Sequence, residues 1–424
     1  MPFTSFSFIH CADLHLDSPF EGLHAVAPFL GRLLRDATFR AFDNVIDLAL
    51  DEKVDFIIVA GDVYDAADRS LRAQTRFRDA LGRAAAAGIS CFVAHGNHDP
   101  LSGWEAGLEM AAGVHRFGGD AVERFVVERR GEPLAAIYGI SYPVGEVREN
   151  LVPHFPQTKE SLFAIGVLHA NLGGDATGHD NYAPCTLEDL LYAPLDYWAL
   201  GHVHTRQILR PGRPCVVYPG NTQGRSIREP EARGCYLVRV ADDGHITPEF
   251  MATDVVRWHF QELDISGLSS LDELLAGLHR ARDEARAASD GRGAVVRLHL
   301  TGRGDLHHDL RRVDPERDLA AVLREGEGDR PDFVFYESIV NRTRPALDLA
   351  QRRLVQDFVG DFLSAAEAIR QGDNPQETLR EVLMGRPESR AMLHQLEQLN
   401  EAGLLEILEN AETLGLDLLL PEEE

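Results

Sequence analysis

The sequence predicts an α/β layered domain, then a small α+β unit and a helical C-terminal region. Three observations lead there. From the N-terminus to about Val240, short runs rich in β-branched and aromatic residues recur, and the first three are separated by long helix-like stretches, giving a β-α-β-α-β opening. Five of these runs are followed at once by Asp, Asn or His. From about Val255 the spacing changes, and after Pro345 strand-like runs cease.

The strand candidates, in order, are Phe6–Ala12, Phe56–Ala60, Cys91–Ala94, Ala135–Ile140, Phe163–Leu168, Tyr197–Leu200, Cys215–Tyr218 and Cys235–Val240. Between the first three, Leu30–Asp51 and Arg69–Ala87 read as helices, the second stopped by Gly88. Beyond them, Arg257–Ile265 reads as a strand, Leu268–Ala288 as a helix, Ala294–Thr301 as a strand, Leu306–Leu310 as a short helix and Phe333–Val340 as a last strand. The tail reads as three helices, Leu349–Ile369, Pro375–Met384 and Arg390–Leu408. In the third, Leu393, Leu396, Leu399, Leu404 and Leu408 recur at helical spacing and form one apolar stripe on an acidic helix. The expected domains are residues 1–254, 255–344 and 345–424.

At 424 residues the chain is long enough for two or three units, and its 44% apolar content is that of a globular protein. Formal charge is −26, from 42 Lys plus Arg against 68 Asp plus Glu, so the average surface repels a polyanion and any nucleic-acid contact must be local. The five cysteines, Cys11, Cys91, Cys185, Cys215 and Cys235, are odd in number and lack a C-x-x-C spacing, which argues against a disulfide framework or a zinc knuckle. The first strand starts near Ser5 and reaches candidate ligands by Asp13, leaving no room for a removable signal peptide. No apolar run is long enough to span a bilayer, and the expected compartment is the cytoplasm.

The five segments that follow strands are CADLH (Asp13, His15), AGDVYD (Asp62, Asp65), HGNHD (Asn97, His98, Asp99), VLHAN (His169) and LGHVH (His202, His204). In open α/β sheets ligands bind beyond the carboxyl ends of the strands, so these segments point to one shared site. Asp, Asn and several His on separate strand ends suit a pair of divalent ions, which activate water and neutralise a transferring phosphoryl group when ~3.5–4 Å apart. Such ions share a bridging ligand, and Asp62, just after a strand, is the natural candidate. The mixed O/N set suits Mn first, with Fe or Zn also possible, rather than Mg or Ca. Cys11, inside its strand, is not placed to join as a thiolate. His98 adjoins Asn97 but should point elsewhere, toward the leaving-group oxygen as a proton donor, and Asp65 could orient its ring.

In these segments the chain resembles the calcineurin-like metallophosphoesterase superfamily, whose ordered blocks are D-x-H, G-D-x-x-D, G-N-H-D/E, a lone His and G-H-x-H. Within it the chain is most similar to bacterial DNA repair exonucleases of the SbcD and YhaO type, with CADLHLDSPFEGL at Cys11–Leu23 and YPGNTQGRSIRE at Tyr218–Glu229 like the YhaO branch. The resemblance implies a two-sheet sandwich flanked by helices, a DNA-facing α+β capping domain and a tail on which an SMC-like ATPase of the SbcC/YhaN type docks. It implies one ion held by Asp13, His15, Asp62 and His204, another by Asp62, Asn97, His169 and His202, with His98 as the catalytic histidine. The expected substrate is DNA and the expected metal is Mn.

GDVYDAAD lacks the Asp-Arg-Gly continuation of the Ser/Thr phosphatases, which argues against a protein phosphatase. A small-molecule or cyclic-nucleotide phosphodiesterase or phosphatase using the same two ions is the main rival. It has no need of the added α+β unit and tail, although these could also serve a homodimer. A regulatory subunit with a purely structural metal site is the second rival, and the presence of His98 counts against it.

Overall fold

The fold is taken from a computed structural model that describes residues 3–18, 28–65, 70–173, 182–312, 314–328, 330–372, 374–384 and 401–420. Two six-stranded mixed sheets and one three-stranded sheet are built from strands β1 (Phe6–Cys11), β2 (Phe56–Ala60), β3 (Ser90–Ala94), β4 (Val114–Arg116), β5 (Glu123–Arg129), β6 (Glu132–Gly139), β7 (Phe163–His169), β8 (Tyr197–Gly201), β9 (Gln207–Arg210), β10 (Cys215–Tyr218), β11 (Gly234–Val240), β12 (Ile246–Ala252), β13 (Val256–Asp264), β14 (Gly293–Thr301) and β15 (Val334–Asn341).

The first sheet runs β12-β11-β1-β2-β3-β4 and the second β5-β6-β7-β8-β10-β9. Each has four parallel strands, β1 to β4 in one and β6, β7, β8 and β10 in the other, extended by antiparallel strands. All eight strands read from the sequence are present in this domain. The four strands it did not reveal, β4, β5, β9 and β12, are the four sheet edges. The Leu187–Tyr192 helix, capped by Thr186 and Asp189, was also not anticipated.

Alternation along the strands builds three apolar layers. Phe8, Phe56, Ile58 and Phe92 of the first sheet meet Phe163, Ile165, Val167, Tyr197 and Val217 of the second. Phe8 stacks on Phe56 with ring centroids 4.8 Å apart and meets the edge of Tyr197 at 5.2 Å. The outer face of the first sheet, including Ile9, Ile57, Val59 and Val93, is covered by helices α1 (Pro28–Asp51) and α2 (Leu71–Ala86). Phe39, Phe42, Val45, Ile46 and Ala49 recur at helical spacing to form the buried stripe of α1. On the outer face of the second sheet Trp198 is fully buried against Phe155, at 4.8 Å, and its indole N–H donates to the Leu190 carbonyl at 3.0 Å. Gly166 lies beneath that indole, where a Cβ would come within 2.5 Å of Trp198 Cζ3. Residues 6–252 thus form a sandwich of two sheets flanked by helices.

Two compact units can be told apart: residues 1–261 with 279–298 and 319–339, and residues 262–278 with 299–318 and 340–424. In the first, Val256, Trp258, Val295, Phe333 and Phe335 pack with Leu30 and Leu34 of α1. The third sheet, in the order β13-β14-β15, has the strands anticipated between Val255 and Val340. In the second unit, Val359, Leu363 and Leu416 form a small core, and buried Glu412 pairs with Arg353 and Arg370.

The described part of the tail departs from expectation in how its helices are bounded. Instead of one helix over Leu349–Ile369 there are two, Leu349–Arg353 and Phe358–Arg370, the first closing at Leu354 and the second capped by Asp357, which accepts from the Gly360 N–H at 2.9 Å. The Pro375–Met384 helix is as expected. Of the stripe, Leu393, Leu396 and Leu399 lie outside the described residues. Leu404 is buried in a helix, Glu401–Leu419, that continues past Leu408. No described helix is long and apolar enough to cross a membrane.

Candidate metal centre

The five segments leave the carboxyl ends of β1, β2, β3, β7 and β8, so parallel strands from both sheets deliver their loops to one edge of the sandwich. The loops after β1 and β2 run together, with the Asp13, His15 and Leu16 amides donating to the Gly61, Asp62 and Val63 carbonyls at 2.9–3.1 Å. Four candidate ligands lie in the left-handed backbone region, with φ of 52° at Asp13, 44° at His15, 50° at Asp62 and 101° at His202. Non-glycine residues avoid that region unless their surroundings enforce it, and such residues cluster at functional sites.

All seven predicted ligands converge. Ligand-type atoms of Asp13, His15 and His204 lie within 4.8 Å of one another, as do those of Asp13, Asp62 and His169, and those of His15, Asp62 and His98. Asn97 Oδ1 is 3.0 Å from His169 Nε2 and 3.2 Å from His202 Nδ1. The carboxylates are held by main-chain donors, Asp62 Oδ1 by the His98 N–H at 3.0 Å and Asp13 Oδ1 by the His202 N–H at 3.0 Å. Asp13, His15, Asp62, His169 and His202 are all buried.

The donor chemistry fits cations. The Ala60 carbonyl, 3.0 Å from His169 Nδ1, can only accept, so the neutral ring turns the Nε2 lone pair toward Asn97 Oδ1 and toward Asp62 Oδ2 at 3.4 Å. Glu229 Oε1 is 2.7 Å from His204 Nδ1, and Asp65 Oδ1 is 3.0 Å from His15 Nδ1. Both rings therefore present Nε2 inward, and these two atoms stand 3.1 Å apart. Lone pairs facing one another require a proton or a metal between them, and a carboxylate on the outer nitrogen is the usual partner of a metal-binding histidine.

The electrostatics agree. Burial pushes His169 down, but the Asp62 and Asp13 carboxylates beside it outweigh burial and raise it to about 9. Burial also opposes ionisation of Asp62, yet His169, His15 and His98 hold its carboxyl well below the usual range. His15 is lowered to about 4 by burial and by the Arg225 guanidinium. The five cysteines are free and buried, with burial raising Cys91 and Cys235 to about 12.

His98 is exposed, and its Nδ1 lies 3.0 Å from the Asp65 main-chain carbonyl, which leaves Nε2 without the proton in the neutral ring and with it in the imidazolium. Asp65 thus meets that ring through its carbonyl. Its carboxylate turns instead to His15, to the Ser18 hydroxyl at 2.9 Å and to Arg225 Nη1 at 2.6 Å. Asp99, next to His98, is fully buried and takes the Val63 and Gly96 amides and His95 Nδ1 at 2.8–3.0 Å, so it clasps the loops rather than entering the ligand cluster. Glu229 and Arg225 were not singled out from the sequence by chemistry. Their only signal was membership of the YPGNTQGRSIRE segment.

Comparison with known proteins adds independent support. Residues 6–206 match the calcineurin-like phosphoesterases, and residues 258–344 match the middle domain of metallophosphoesterase YhaO. The uncharacterized metallophosphoesterase YhaO of Bacillus subtilis is 40% identical over 300 residues, 70% of this chain and 72% of that protein. The DNA double-strand break repair protein Mre11 of Thermoplasma acidophilum is 32% identical over 198 residues, and the chain spans only about half of it, 51%. The D component of the nuclease SbcCD of Bacillus subtilis is 26% identical over 255 residues, covering 52% of this chain and 62% of that one. The sandwich, the converged donors and these relatives agree that the chain belongs to the calcineurin-like phosphoesterases, a family of hydrolases with a dinuclear metal site.

Proposed function

We propose that the chain is a two-metal phosphodiesterase that cuts DNA, as an exonuclease or endonuclease in DNA repair, together with an SMC-like ATPase. The observation that carries the hydrolytic part is the inward convergence of the His15, His204 and His169 Nε2 atoms around Asp13 and Asp62. Relatives named as a repair protein and a nuclease component support DNA as the substrate. In this reading Asp13, His15, Asp62 and His204 hold one ion and Asp62, Asn97, His169 and His202 the other, with Mn the first choice and Fe or Zn also suited to the donors.

Bound cations supply a nucleophile at neutral pH and neutralise charge on the phosphoryl group. The chain's residues do the rest. Asp62 belongs to both ligand sets and offsets the repulsion between the ions. Asp65 fixes the His98 ring through its carbonyl, so that the protonated Nε2 can reach the leaving oxygen and donate to it. The excess of acidic residues works against DNA affinity, and the partner's surface would then have to supply part of it.

The test is Mn-dependent cleavage of end-labelled single- and double-stranded DNA, alongside bis(p-nitrophenyl) phosphate and cyclic nucleotides, with and without a co-expressed ATPase. Cleavage of DNA supports the reading. Hydrolysis confined to the small diester or cyclic nucleotides would favour the small-molecule alternative.

A further inference from the structure

Arg225 closes a ring of polar contacts behind one half of the centre. Its Nη1 donates to Asp65 Oδ1 at 2.6 Å, and its Nη2 to Glu229 Oε1 at 3.2 Å. Each carboxylate stands on the outer nitrogen of a histidine, Asp65 on His15 and Glu229 on His204, and the inner nitrogens of these two rings are 3.1 Å apart. One guanidinium therefore braces both rings at once. Its own main chain takes part, since the Arg225 N–H donates to Glu229 Oε2 at 2.7 Å and Asn221 Nδ2 donates to the same oxygen at 2.9 Å. The outer nitrogen of His169 rests instead on a strand carbonyl.

We propose that Arg225 is a positioning residue that sets the affinity of the His15/His204 ion separately from that of the His169/His202 ion. The planar fork of arginine reaches two carboxylates in a fixed geometry and so holds each against its histidine. Without it the two carboxylates lose their common cation and hold the two histidines less firmly. Loss of a group that orients a metal ligand typically costs about 10–100-fold in metal affinity. The effect should fall on one ion of the two.

This inference rests on the two-ion reading of the centre, and one experiment separates their failures. Mn2+ is titrated into the metal-stripped full chain by calorimetry, with low-temperature electron paramagnetic resonance distinguishing an isolated ion from a coupled pair. The wild type should bind two ions and show the coupled signal. Arg225→Gln should bind one ion with wild-type affinity and the other about 10–100-fold more weakly, giving an isolated-ion signal at the concentration that fills both wild-type sites. Arg225→Lys keeps the charge but not the fork and should show a smaller loss at the same ion, which keeps the test valid if the glutamine variant does not fold. A wild type that binds fewer than two ions overturns the two-ion reading and the inference with it. A two-ion wild type whose folded variants bind both ions unchanged, or lose both equally, overturns the role of Arg225 alone.

Discussion

The two halves of the metal centre are held by different means. On one side, His169 is fixed by main chain: its Nδ1 meets the Ala60 carbonyl at 3.0 Å, and Gly61 and Gly96 approach so closely that a Cβ on either would come within 2.3 Å of His169 Nδ1 or Asp62 Oδ1, respectively. On the other, His15 and His204 are fixed by side chains, the carboxylates of Asp65 and Glu229. Main-chain holders at or just beyond a strand end fail only when the backbone is disturbed. Side-chain holders fail one charge at a time, so the second half should be the more tunable.

Asp62 stands outside this contrast because the proposed ligand sets place it in both halves, and its loss should have the largest effect. Asp62→Asn is expected to abolish hydrolysis and to lower bound metal, and a purified variant with two ions and full activity would break the assignment. Gly61→Ala comes next. Its φ of 97° and the contact with His169 make even a methyl group intolerable, so the ion on the His169 side and most activity should be lost, read by metal content and diester hydrolysis.

His98→Ala should slow turnover by ~10²–10⁴ while both ions remain, if this ring donates a proton and binds no metal. Metal analysis decides, since loss of an ion would make His98 a ligand. A milder change is expected from Glu229→Gln, which keeps the shape and removes the charge behind His204. It should weaken one ion by about tenfold, the lower end of what outer partners contribute, and leave the His169 side unchanged.

The smallest effect is one of pH. Without metal, the His169 proton is stabilised by the fold, because its value rises from 6.5 to about 9 as the carboxylates outweigh burial. That contribution is fully present below pH 6.5 and is lost as pH rises through about 9. His15 is lowered to about 4, so the folded ring stays neutral over this window, and it adds slope only near pH 6.5, where the unfolded ring still titrates. A cation replaces the His169 proton, so the difference in melting temperature between metal-loaded and metal-free protein should widen from pH 6.5 to about 9. A constant difference would count against His169 as a ligand.

How much of this was legible depended on burial. The interior strands bury both faces and read as apolar runs, as FIIVA and FAIGVLH do. The edge strands did not, since ERFVVER and QILR are largely exposed or half-buried and look like loop sequence, and Ile246–Ala252 carries Pro248 within an edge. The seven candidate ligands were legible because each is a metal-binding residue type just beyond a strand. Glu229 and Arg225 were not, because a residue that acts by gripping a ligand follows no local spacing rule and is found only when distant loops are brought together. Asp65 was expected to orient the His98 ring, and it meets that ring through its main-chain carbonyl while its carboxylate faces His15. In the tail, helical periodicity ran through the Leu354–Asp357 break because the capping role of Asp357 looks like one more polar position.

The central claim is that two ions share Asp62 and that both are needed for hydrolysis. It is tested most directly by titrating Mn2+ into the metal-free full chain while following ion binding and bis(p-nitrophenyl) phosphate hydrolysis in the same samples. Two ions per chain are expected to bind, with hydrolysis rising as the second binds. Full hydrolysis at one ion per chain, or two bound ions with no hydrolysis of any phosphodiester, would contradict it.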